Sequence, residues 1–155
     1  MTYVAVVGPG ECDAETAAMA EAVGRELAAR GAVVVCGGTG GAMEAACRGA
    51  KSAGGTTVGL LPGLERGSAN AYVDVALPTG LGEARNVLVV RAADVVLAVR
   101  GEFGTLSEIA FALRVGTPVV GLDTWELGKR GSPVQAFTVA GDPVEAAELA
   151  LRAAP

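Results

Sequence analysis

The sequence predicts a doubly wound α/β fold, a mostly parallel sheet of six or seven strands with helices on both faces. Three observations predict it. Short runs of Val and Ala alternate with longer stretches in which Ala, Val, Leu and Met recur at helical spacing. Glycine-rich turns close several of these runs just before a helix. Hydrophobic residues make up 51% of the chain but aromatics only 4%, which suits aliphatic side chains packed between helices and a sheet.

Tyr3–Val7 reads as the first strand, ending in Gly8-Pro9-Gly10, and Cys12–Arg30 as a helix that Gly31 stops. Ala32–Cys36 repeats the pattern, and Gly37-Gly38-Thr39-Gly40-Gly41 leads into a helix from Ala42 to Ser52. Thr56–Leu61 is a third strand closed by Pro62-Gly63, and the polar segment Leu64–Ala71 is a loop too short for a crossover helix. Val73–Leu77 is a fourth strand ended by Pro78-Thr79-Gly80. Leu81–Ala92 then reads as helix, Asp94–Val99 as strand, Thr105–Val115 as helix up to Gly116, and Val119–Leu122 as the sixth strand. Thr124–Pro133 has the character of a loop, with Gly128, Gly131, Pro133 and the only Trp, and Ala136–Val139 that of a short edge strand. Asp142-Pro143 is a strong helix start, so Val144–Ala154 closes the chain as a helix. Right-handed crossovers join such units into one sheet, and the 155 residues are expected to form a single domain over 1–155.

A formal charge of −5 argues against a nucleic-acid footprint built on phosphate neutralisation. The absence of histidine removes the commonest general base and the commonest zinc ligand, so chemistry must come from carboxylates, Arg, Cys, hydroxyls or backbone amides, and no metal site is expected. Cys12, Cys36 and Cys47 lack CxxC spacing, which suggests neither a disulfide framework nor a zinc knuckle and fits a reducing cytoplasm. No apolar stretch reaches membrane-spanning length, so a soluble cytoplasmic protein without a membrane partner is expected.

Three turns, Gly8–Gly10, Gly37–Gly41 and Gly101–Gly104, end strands and open helices. Helix N-termini expose unpaired amides with a partial positive charge, and glycine lets an anion approach them, so a phosphate-bearing ligand is the natural guest. The plainer alternative is that glycine simply permits tight turns. Neither a full GxGxxG nor a Gly-Lys-Ser/Thr sequence is present, which weakens dehydrogenase and kinase readings. Arg85, Thr105 and Glu108 fall near the carboxyl edge of the sheet, where open α/β folds bind ligands. Thr105-Leu106-Ser107-Glu108 also fits a capping box, with Glu108 serving only the helix start, and Arg85 can be read as an exposed helix residue.

Gly101-Glu102-Phe103-Gly104-Thr105-Leu106-Ser107-Glu108, preceded by Arg85-Asn86, resembles the Gly-Gly-x-Gly-Thr-x-x-Glu signature and upstream Arg of the Lonely Guy phosphoribohydrolases. It looks closer still to the related molybdenum-cofactor carrier proteins. Gly37–Met43, Gly59–Gly63, Asn70, Thr79-Gly80 and Pro118-Val119 extend the likeness. The resemblance implies a Rossmann-like fold, a homodimer and a phosphorylated small-molecule partner. It implies a cleft formed by Gly8, Gly10, Gly37, Gly38, Thr39, Gly40, Gly41, Thr79, Gly80, Gly101, Gly104 and Thr105, with molybdenum cofactor or a nucleoside monophosphate as the ligand. In the phosphoribohydrolases the positions matched by Arg85 and Glu108 are the catalytic pair. Carrier-type binding is the first expectation and hydrolysis of a nucleoside 5'-monophosphate the alternative. Some relatives carry a lysine decarboxylase label, but that chemistry needs a pyridoxal phosphate Schiff base, and the only lysines, Lys51 and Lys129, fall near a helix end and in a loop, which argues against it. One departure stands out: Glu102 replaces the second glycine of the signature, which predicts either weakened phosphate binding at the third turn or a carboxylate turned away or paired with Arg100.

Overall fold

Val- and Ala-rich runs become strands here because both faces of the sheet are covered, so neither set of alternating side chains needs to be polar. In the computed structural model, which describes all 155 residues, β1 (Tyr3–Val7) leads to α1 (Ala14–Ala29), β2 (Val33–Cys36) to α2 (Ala42–Ser52), and β3 (Thr57–Leu61) to β4 (Val75–Pro78). A 3-10 turn over Gly82–Arg85 runs into α3 (Asn86–Arg91), followed by β5 (Val95–Val99), α4 (Phe103–Val115) and β6 (Val119–Leu122). A short antiparallel hairpin, β7 (Leu127–Lys129) with β8 (Ser132–Val134), precedes β9 (Thr138–Ala140) and α5 (Pro143–Ala153).

The seven sheet strands are all parallel, in the order β4-β3-β2-β1-β5-β6-β9. This is the Rossmann-like, doubly wound arrangement expected from the sequence. Alternation along each strand divides the core in two. Val4, Val6, Val34, Leu97 and Val99 pack with α1, α2 and α5, whereas Ala5, Val7, Val35, Val96 and Ala98 pack with α3 and α4. No helix is long and apolar enough to cross a membrane.

Caps set the helix starts. Asp13 accepts the Thr16 N–H at 2.8 Å, so α1 begins at Ala14 rather than at Cys12. Asp142 accepts the Glu145 N–H at 2.9 Å, with Pro143 at the first helical position as anticipated. The loop expected over Thr124–Pro133 instead contains the β7–β8 hairpin, turned by Arg130 (φ 52°) and Gly131 (φ 79°). Positive φ at both central residues matches the twist of a two-residue hairpin. β9 runs one residue beyond the expected edge strand, to Ala140.

Helices α1 and α2 cross backbone to backbone. A Cβ on Gly49 would lie 1.9 Å from the Glu21 carbonyl oxygen, and one on Gly24 would lie 2.0 Å from that of Ala46. In an isolated helix, alanine would be favoured over glycine by about 1 kcal/mol. At this crossing the added methyl meets backbone that cannot swing aside. Gly49→Ala is therefore expected to destabilise the protein by about 3 kcal/mol in urea unfolding. Gly67→Ala, where a new methyl meets nothing within 4 Å, is expected to be near neutral.

Candidate ligand-binding site

In a parallel sheet every strand delivers its carboxyl end to the same edge, and at the border between β1 and β5 the connections depart in opposite directions along the sheet. The turn after β1, the turn after β2 and the start of α4 meet there. A cavity of about 390 Å³ opens among them, within the range of small-molecule sites. Gly8, Gly10, Gly37, Arg85, Gly104, Thr105 and Glu108 line it, so seven of the residues singled out in the sequence converge. Met43, Pro62, Gly82, Glu83 and Asn86 complete much of the wall.

Arg85 lies flat against the second turn. A Cβ on Gly37 would be 2.0 Å from Nη1 of Arg85 and 2.5 Å from its Cζ, so glycine is what lets the guanidinium reach this position. Nη1 donates to Oδ1 of Asn86 at 3.1 Å, while Nε is buried without a hydrogen-bond partner in the protein. A buried, unpaired donor on a cation is costly, and an anionic acceptor relieves that cost.

Opposite, α4 begins at Phe103 with an extended Glu102 as its N-cap and no side-chain capping bond. The first N–H groups of the helix therefore have neither intrahelical nor side-chain acceptors. This start, two residues earlier than expected, places Glu108 inside the helix and removes the capping-box reading. The Glu108 side chain is directed into the interior, with the residue only 7% exposed. Burial pushes its carboxyl up to about 7, against the opposing pull of the Arg85 charge.

The remaining predicted residues are placed around this cavity rather than in its wall. Gly38 packs against Leu61 and Gly59, and Gly41 (φ 64°) rests on the backbone of Pro9 and Gly10. Gly40 faces the Gly10 carbonyl, and the Thr39 hydroxyl donates toward Sδ of Met43. Thr79 donates to the Leu61 carbonyl at 2.7 Å, and the Gly80 N–H to that of Gly63 at 3.0 Å, so this pair shapes the loop behind Pro62. Gly101 accommodates the Thr105 side chain. Asn70 braces the second turn by donating to the Thr39 carbonyl at 2.9 Å.

Glu102 lines a second cleft of about 350 Å³ together with Glu11, sharing Gly8, Gly10, Gly104 and Thr105 with the first. Arg100 does not pair with it. Its guanidinium is held by Asp123 at 2.7 Å, Glu15 at 3.0 Å and Thr16 at 2.8 Å. The pKa of Cys12 is raised, by burial and by the neighbouring Asp13 charge.

The Glu108 environment sets a pH dependence. Its folded pKa lies above the ordinary 4.5, so the unfolded chain releases the proton first and stability falls as pH rises from about 4.5 through 7. The full change is about 3 kcal/mol. Glu108→Gln is expected to remove that component of the slope, which urea unfolding at pH 5 and pH 8 would show as a smaller difference than in the wild type.

The SLOG cluster4 family model matches residues 1–147 of the chain. A protein from Archaeoglobus fulgidus is 44% identical over 122 residues, covering 79% of this chain and 80% of the relative. The solved structure of the molybdenum cofactor binding protein from the phototrophic bacterium Rippkaea orientalis superimposes with a TM-score of 0.85 at 35% identity, covering 96% of this chain and 94% of that one. The molybdenum cofactor carrier protein from Chlamydomonas reinhardtii gives a TM-score of 0.83 at 32% identity, covering 97% and 96%. With a family match across nearly its whole length and the same fold in relatives above 30% identity, this chain belongs to the SLOG cluster4 family.

Proposed function

We propose that the chain binds a phosphorylated small molecule of the pterin type, molybdenum cofactor foremost, and holds it as cargo in the Arg85 cavity. The observation that carries this reading is the buried, unpartnered Nε of Arg85 set against the Gly37 backbone, with the N-terminus of α4 across the cavity. A guanidinium fork and a helix N-terminus together suit a phosphate. The names of the two solved relatives supply the ligand class. Glu102 and Glu11 lie on the adjoining side, so the phosphate belongs with Arg85 and the amino-bearing ring with the carboxylates, which accept N–H donors.

A second reading rests on Glu108. A buried carboxyl with a pKa of about 7 can hold or release a proton near neutrality, as cleavage of a nucleoside 5'-monophosphate to base and ribose 5-phosphate requires. Arg85 would clamp the phosphate and Glu108 would serve the departing base or the attacking water.

Anaerobic thermal melts with molybdenum cofactor, AMP and inorganic phosphate separate the two, since a ligand selective for the folded state raises the midpoint with the logarithm of its concentration over its Kd. Molybdenum cofactor is expected to stabilise the protein, and Arg85→Ala to weaken binding about 100-fold, the equivalent of about 3 kcal/mol. Gly37→Ala is expected to displace the flexible guanidinium, imitating Arg85→Ala in binding while changing the ligand-free midpoint little. Release of ribose 5-phosphate from AMP, lost in Glu108→Ala, would replace carriage with hydrolysis. Absence of both binding and release would sink both readings.

A further inference from the structure

Cys36, Met43 and Cys47 pack as one buried cluster beneath the second glycine turn, with the partly buried Tyr72 and Val73 against it. Met43 and Cys47 are four residues apart on α2 and so share a face of the helix, while Cys36 ends β2. The two cysteine sulfurs are 3.5 Å apart. We propose that Cys36 and Cys47, joined by Met43 once its thioether turns from the Thr39 hydroxyl at 3.6 Å onto the two thiols, form a three-coordinate, all-sulfur site for a soft monovalent cation, copper(I) above all.

The donor set selects the metal. Two thiolates and a thioether are soft ligands that favour copper(I). Zinc wants four ligands, and this chain has no histidine to add. Asp74, whose charge acts on Cys47, is already bound by Lys51 at 2.7 Å and by the Thr57 N–H at 2.9 Å. Geometry favours a metal over a disulfide. A trigonal set with bonds of about 2.3 Å needs sulfurs about 4.0 Å apart, an outward shift of about 0.5 Å from the present cysteine spacing. A disulfide needs the sulfurs to close by about 1.5 Å within a packed interior.

Charge and access also fit. Copper(I) displaces two thiol protons to solvent, leaving a net charge of −1 on the site. The Gly38 N–H donates to Sγ of Cys36 at 3.2 Å. Met43 and Gly37 line the ligand cavity, which gives a small ion a path to the cluster. The inference does not depend on which organic ligand that cavity takes.

The test is anaerobic titration of the reduced protein with copper(I) in competition with bicinchoninate. A Cys12→Ser background is used because Cys12 is the remaining free thiol. The expected result is one copper(I) per chain, with thiolate-to-copper absorption in the near ultraviolet and no displacement by equimolar zinc. Cys47→Ser is expected to weaken binding at least about 100-fold, more than a change outside the ligand shell would, and Met43→Leu about tenfold. Should Cys47→Ser fail to fold by circular dichroism, Met43→Leu and the copper-to-protein ratio still decide. Retention of all copper by the chelator at one equivalent, or unchanged affinity in a folded Cys47→Ser or Met43→Leu variant, would overturn the assignment.

Discussion

Two turns pressed together, backbone on backbone, determine the rest of the site. The Ala42 N–H donates to the Pro9 carbonyl at 3.0 Å, and a Cβ on Gly41 would come within 2.3 Å of the same oxygen. This contact ties the end of β1 to the start of α2, so the floor of the cavity is held in place by main chain rather than by movable side chains. The Gly37–Gly41 turn that results leaves one face open for the Arg85 guanidinium and shelters three sulfurs beneath. Pressing turns together in this way excludes side chains from both, which is why the segment is so rich in glycine.

Charge within the cavity is settled by competition. Arg85 attracts the Glu108 carboxylate, yet desolvation of the buried carboxyl is the larger effect and raises its pKa. Near neutral pH the Glu108 carboxyl therefore lies within its titration range. A partly protonated Glu108 leaves less negative charge in the cavity than a fully ionised one would. The acidic cleft beside it is kept separate by distributing the charges among different elements: Arg100 is drawn away from Glu102 by Asp123 and Glu15.

Much of the fold was legible because β1, β2, β5 and β6 are continuous apolar runs buried on both faces, each followed by a turn signal. The β7–β8 hairpin was not, since its six residues are almost all exposed and bury no alternate set that could leave a period of two. In the site, Arg85, Thr105 and Glu108 were found through spacing and family likeness. The same motifs overstated the cavity wall: a glycine run contiguous in sequence turns through space, so Gly37 reaches the cavity while Gly38 and Gly41 pack behind it. Met43 and Pro62 stood within motifs of the family likeness but not as wall residues, and Gly82 gave no signal, because an apolar or turn residue acquires a place in the wall only through the strand order. Asn86 was visible only as the neighbour of Arg85, and its hydrogen bond to that residue depends on the 3-10 turn that precedes α3.

The order of the strands has a consequence for biosynthesis. β1 sits at the centre of the sheet with β2, β3 and β4 on one side, and every strand on its other side comes from the later part of the chain. A nascent polypeptide leaving the ribosome can assemble the first four strands with α1 and α2 early, since domains form from the amino terminus as they are made. The wall that carries Thr105 and Glu108 arrives only when β5 and α4 dock, so the cavity is complete only after the second half of the chain has been translated.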